Sequence, residues 1–471
     1  MPDPVLHGPV AVGTGVTDYV PYPRSPGRVA VQQQEPPATP ATHVLGYGRI
    51  LNRMPGVPGA RTVTSVDVTA RIQWLEAVAD LLRRSHLSQS DRLTGHLVEA
   101  LHPLGVEARV YLVDREQLAL HPVPGPDRPP PEPLPVDGSP AGRAFAFVRS
   151  HATAPDRLWT PMVDGTERLG VVEFRLPEGM HAEDEAVRWH CELIAGLFGH
   201  LVTTKLPYGD ALQSVRRTEL MSTAGELLWQ MLPPLTFTSD RMTISAILEP
   251  CYDVGGDGFD YAADRSTAHV VILDAAGRGL RAGLACTVAL AAIRAARRAG
   301  GDIEAQADAA DTALAEQFTD ARFVTAVIAE LDLDSGRLRY LNAGHPPPLV
   351  LRGGGLHGVL SGGRRMPLGL SATALGAGDF GRPATATLQH EDRLLLYTDG
   401  IIEAPGPGGE PFGVERLVAF AVRHQAQGLP TPETLRRLCH AVLDHQGRPP
   451  RDDASLLLLE WSDTTLERNL P

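Results

Sequence analysis

A chain of 471 residues is too long for one ordinary domain, and two or three domains are expected. Its net charge of −13 supplies no basic face for nucleic acid or an anionic membrane, and 43% hydrophobic with 21% charged residues is ordinary globular composition. Arginine carries nearly all the positive charge, Lys205 being the one lysine, which fits a coding bias rather than a function.

Residues 1 to about 60 hold the Pro-rich stretches YPRSPG, QQQEPPATPATH and RMPGVPGA, and too few periodic apolar positions to build a core. A disordered tail is expected there. Residues 1–20 contain three prolines, two aspartates and no apolar stretch, so no secretory leader is expected. The longest apolar run, residues 282–293, falls short of the ~20 that a membrane helix requires. Four singly placed cysteines (Cys191, Cys251, Cys286, Cys439) argue against a disulfide framework or a zinc site. These features together predict a cytoplasmic protein.

From residue 68 the apolar spacing predicts two helices, with Ile72, Leu75, Ala79, Leu81 and Leu82 on the first. Strand patterns follow at residues 108–113, 118–123, 157–163 and 168–176, and a helix over 184–205 closes the unit. Helices, strands, then a helix predict an α+β module over residues 66–206. Within it, SPAGRAF (139–145) and RLWTPMVDGTERLGVVEF (157–174) resemble the GAF family of sensor domains. That resemblance implies ligand binding or dimerisation, and names no ligand. A helical connector is expected over 207–236, with Leu220, Leu227, Leu228, Met231 and Leu232 on one stripe before Pro233-Pro234. The stripe leaves three outcomes open: transmitting a signal between domains, pairing with its copy in a homodimer, or packing on its own C-terminal domain.

Residues 237–464 then change to short apolar strands flanked by acids, with a short tail at 465–471. CYDVGGDGFD presents Asp257 and Asp260 after a Gly-Gly turn. AHVVILD ends in Asp274, DRLLLYTDG in Asp399-Gly400, and RDDASLLLLEW puts Asp452 and Asp453 before a strand. Carboxylates so far apart in sequence converge only if their strands are sheet neighbours. Convergence without positive partners raises their pKa values or recruits a cation. An oxygen-only set selects a hard ion such as Mg²⁺ or Mn²⁺. NAGHPPPL adds His345 as a candidate proton donor or a satisfied loop histidine, and Arg278 is either a phosphate contact or a surface arginine.

In order, DVGGDGFD, LDAAGRGLRA, NAGHPPPLVL, MPLGL, LLLYTDGIIEA and RDDASLLLL look like the metal-dependent protein phosphatases, in the bacterial branch typified by SpoIIE and RsbU. The resemblance implies an α-β-β-α sandwich with two Mn²⁺ or Mg²⁺ ions. It places metal ligands at Asp257, at Asp274 with the Ala275 carbonyl, at Asp399, and at Asp452 in preference to Asp453. Asn342 and His345 border the site. It implies hydrolysis of phosphoserine or phosphothreonine, often on a phosphorylated anti-anti-sigma-factor protein. Two departures stand out: Gly258 sits where a bulky aromatic is usual, and Arg278 lies where a histidine is usual. The rival readings are a scaffold that binds a phosphorylated partner, and a metal phosphohydrolase of small phosphates.

Overall fold

The computed structural model describes residues 65–462, apart from 126–129, 251, 254, 321, 371–380, 427 and 448–451. The tails expected at 1–60 and 465–471 lie outside the described residues. The N-terminal half runs α1 (Ser65–Ser85), α2 (Leu93–Leu101), β1 (Glu107–Val113), β2 (Ala119–Pro122), β3 (Leu134–Pro135), α3 (Pro140–Phe147), β4 (His151–Ala154), β5 (Arg157–Asp164), β6 (Glu167–Arg175) and α4 (Glu185–Lys205). The strands make one antiparallel sheet in the order β3-β2-β1-β6-β5-β4. Strand alternation divides its two faces. Ala108, Val110 and Leu112 of β1 pack with Leu81, Leu97 and Phe198 of α1, α2 and α4. The intervening Tyr111 and Val113 pack with Ala144 and Phe145 of α3 on the other face. Here SPAGRAF is a helix start: the Ser139 hydroxyl accepts the Gly142 amide at 2.9 Å.

The connector differs from the single helical stripe expected. It is two helices, α5 (Ala211–Val215) and α6 (Thr223–Met231), and Leu220 between them is 98% exposed. Ser222 explains the restart, because its hydroxyl caps the new helix by accepting the Gly225 amide at 3.0 Å. Leu228 is fully buried in the C-terminal core, so α6 packs on its own chain.

The C-terminal half has β7 (Thr236–Thr238), β8 (Met242–Glu249), β9 (Asp257–Ala263), β10 (Thr267–Ala275), α7 (Leu280–Arg298), α8 (Ile303–Gln317), β11 (Val324–Asp332) and β12 (Arg337–Ala343). It continues through β13 (Leu349–Arg352), β14 (Gly355–Val359), β15 (Arg364–Arg365), β16 (Ala384–Thr387), β17 (Arg393–Tyr397), α9 (Asp399–Ile402), α10 (Gly413–Ala426), α11 (Thr431–Gln446) and β18 (Ala454–Trp461). One sheet has the order β15-β12-β11-β10-β9 with β16 on β12, and the other β14-β13-β17-β18-β8-β7. The run SLLLL on β18 shows how they stack. Leu457 and Leu459 join the core shared with the first sheet, while Leu456 and Leu458 face Leu435, Leu438 and Val442 of α11. Helices α7 and α8 cover the first sheet through Cys286, Leu290, Ala307 and Leu314. The layers are therefore α-β-β-α, within an α+β chain. Among the described residues no helix is long and apolar enough to cross a membrane.

Candidate metal centre

The antiparallel register of β9 and β10 sets Asp257 directly opposite Asp274. Side chains so paired have Cβ atoms about 4.5–5.5 Å apart, and like charges there are destabilising. Asp257 is 1% exposed. Burial, then the charges of Asp274 and Asp453, pushes its carboxyl well above the ordinary range. Burial, then Asp399, Asp452 and Asp453, pushes Asp274 up to about 7. Asp399 opens α9 directly after β17, and burial followed by the Asp452 charge raises it as well. The structure thus brings four sequence-distant acids into one electrostatic group. Arg278, in the loop from β10 to α7, reaches Asp452 at 3.2 Å, with both side chains about two-thirds exposed. A pair this exposed contributes little.

The adjacent acids Asp452 and Asp453 have different tasks. Both oxygens of Asp453 are engaged: Oδ1 accepts the Gly255 amide at 2.8 Å, and Oδ2 accepts the amides of Gly256 and Asp257, the latter at 3.1 Å. Asp453 therefore shapes the turn that delivers Asp257. Asp452 is exposed, and its charge acts on Asp274 and Asp399. The Thr398 hydroxyl donates to Asp257 Oδ2 at 2.7 Å and accepts the Ser455 amide at 2.9 Å, tying β17, β18 and β9 together. Gly400 permits that closeness, because a Cβ there would stand 1.8 Å from the Asp453 carbonyl oxygen. The positioning roles of Thr398 and Asp453 were not legible in the sequence, although both lie inside the TDG and RDD motifs.

His345 is buried, and both ring nitrogens have protein partners: Nδ1 with the Thr325 hydroxyl at 2.8 Å, Nε2 with the Tyr397 carbonyl at 3.1 Å. A carbonyl only accepts, so the proton sits on Nε2 and Thr325 donates to Nδ1. Burial pushes this imidazole down to about 3. Asn342 fixes the same loop, accepting the His345 amide at 2.8 Å and donating to its carbonyl at 2.9 Å. These two residues steady the end of β17, two residues before Asp399. Asp260 lies elsewhere, three residues along β9 and so on its other face, paired with Arg294 and Arg297.

The donor chemistry fits a hard divalent cation. The carboxylates raise one another with no buried cation among them in the described residues, and Gly256 leaves room beside the Ala275 carbonyl, since a Cβ there would come within 2.7 Å of its oxygen. Among the described residues, as they stand, no group of three or more His, Cys, Asp or Glu side chains is placed to hold a metal ion.

Residues 264–462 match the family model described as Stage II sporulation protein E (SpoIIE). They form a SpoIIE-type domain. The match begins after Asp257, so this aspartate and α6 precede the matched residues. Phosphoserine phosphatase RsbP of Bacillus subtilis is 26% identical over 171 residues, 35% of this chain and 41% of that protein. Protein IcfG of Synechocystis is 30% identical over 99 residues, 21% of this chain and 14% of that protein. The chain spans less than half the length of these curated relatives. Among solved structures, the SiaA-PP2C domain of Pseudomonas aeruginosa is 25% identical with a TM-score of 0.41, covering 46% of this chain and 86% of that one. Within the SpoIIE-type domain lie three of the four acids grouped at the site: Asp274, Asp399 and Asp452.

Proposed function

We propose that the chain is a metal-dependent protein serine/threonine phosphatase. The observation that carries this reading is the cross-strand pair of buried Asp257 and half-buried Asp274, joined by Asp399 and Asp452 with no buried counter-charge among the described residues. Asp257, Asp274 with the Ala275 carbonyl, Asp399 and Asp452 would hold two Mn²⁺ or Mg²⁺ ions. The chemistry such ions supply is neutralisation of phosphoryl oxygens and acidification of water. The chain's own residues do the rest. Asp453 and Thr398 orient Asp257, and the Asn342-His345 loop holds the strand before Asp399. Arg278, exposed at the rim, would meet a phosphate with its planar fork.

The partner proposed is a phosphorylated anti-anti-sigma-type protein, in keeping with a relative named phosphoserine phosphatase RsbP. The N-terminal α+β half is proposed as a GAF-like regulatory domain, supported by its two-faced antiparallel sheet. The test is Mn²⁺-dependent hydrolysis of p-nitrophenyl phosphate and of a phosphoserine protein, lost on chelation. Asp399→Asn should lower the rate about a hundredfold or more, because several kcal/mol of charge stabilisation depend on that ligand. Retained metal-dependent turnover in a folded Asp399→Asn protein would overturn the assignment.

A further inference from the structure

A cavity of about 630 Å³ opens on the face of β9 away from the carboxylate group, a size in the usual range of small-molecule sites. One wall is cationic: Arg294, Arg297 and Arg298 from the last turns of α7. Another is the end of the connector, including Met231 and Leu232. Two of the arginines share a single carboxylate, Arg294 reaching Asp260 at 2.6 Å and Arg297 reaching it at 2.8 Å. With Asp264 also on the lining, three guanidinium groups face two carboxylates.

Arg297 supplies the decisive detail. Its side chain is only 9% exposed, and its buried Nη1 has no hydrogen-bond partner. A buried guanidinium N–H left without an acceptor is costly, and an incoming anion would relieve that cost with a charge-assisted bond. The C-terminal end of α7 opposes an anion, but that field is weak and confined to one turn, while the arginine forks act at contact.

We propose that this cavity binds a small phosphate-bearing molecule, with Arg297 and Arg298 as its anion contacts. Its occupant would touch both the connector and β9, the strand that begins at Asp257.

Calorimetric titration of the full chain with inorganic pyrophosphate in EDTA tests this, since the catalytic acids then carry no cation that would attract the probe. Saturable binding at one site is expected. Arg297→Gln should weaken it at least tenfold, and the exposed Arg298→Gln severalfold without disturbing the fold. Arg278→Gln, at the carboxylate rim, should leave it unchanged. Absence of saturable binding, or affinity lost in Arg278→Gln but kept in Arg298→Gln, would overturn the proposal. Should Arg297→Gln fail to fold, Arg298→Gln decides alone.

Discussion

Asp452 and Asp453 are neighbours in sequence with opposite environments, and that difference is measurable. Asp453→Ala strips the acceptors from three backbone amides, each costing about 1–3 kcal/mol when buried and unpaired, so a loss of several kcal/mol in denaturant unfolding is expected. Asp452→Ala, at an exposed position, should leave unfolding within about 0.5 kcal/mol while weakening Mn²⁺ binding by titration. His345 makes a pH prediction. Its folded pKa lies near 3, below the unfolded value of about 6.5, so the unfolded state binds the extra proton between those limits. Stability is therefore full above about pH 6.5 and falls as pH drops, by about 2 kcal/mol at pH 5. His345→Gln should flatten that slope in pH-dependent unfolding curves; an unchanged slope would show that other groups set it. Sequence alone left His345 open between a proton donor and a satisfied loop residue, because its partners Thr325 and Tyr397 arrive from two other strands.

Among elements, β9 and α7 approach closely beside the site. A Cβ on Gly258 would lie 2.6 Å from the Cys286 sulfur and 3.3 Å from Leu290. Gly258, a departure from the usual aromatic at this place, is therefore required by the depth at which α7 sits here. Gly258→Ala should destabilise by about 1–3 kcal/mol through overpacking, read from chemical denaturation, and lower Mn²⁺ affinity by shifting Asp257 next door. The connector shows the limit of periodicity as a signal. Leu220 and Leu228 fall on one helical stripe in the sequence, yet the first is solvent-exposed and the second buried, because Ser222 restarts the helix between them. Strand patterns were more legible, since alternation along β1 and β18 follows directly from which faces are covered.

At the scale of the whole molecule, the two described halves meet through a buried ionic cluster. Glu433 on α11 is fully buried and pairs with Arg168 of β6 at 3.1 Å and with Arg436 at 2.8 Å, while Arg436 reaches Asp137 at 2.7 Å. Burial alone would raise Glu433, but the hydrogen bond and charges of Arg436, with those of Arg168 and Arg437, hold it at about 2. A depressed carboxyl contributes stability that is full above its unfolded pKa of about 4.3 and is lost as pH falls toward 2. Removing one partner strands the others, so Arg436→Met should cost roughly 3–5 kcal/mol. Limited proteolysis at neutral pH should then release the N-terminal half faster than in wild type; equal rates would mean the cluster does not join the halves.

What the sequence determined by itself was local: strands ending in acids, glycine turns beside them, and an oxygen-only donor set calling for a hard cation. Those follow from period, turn chemistry and charge, which act over a few residues. Only the tertiary structure decided which acid of the Asp452-Asp453 pair faces outward, that Asp260 turns away to two arginines, and that Arg168, Glu433, Arg436 and Asp137 form one junction. Each of those outcomes depends on partners roughly 30 to 300 residues away in sequence, brought within hydrogen-bond distance only when sheets and helices pack.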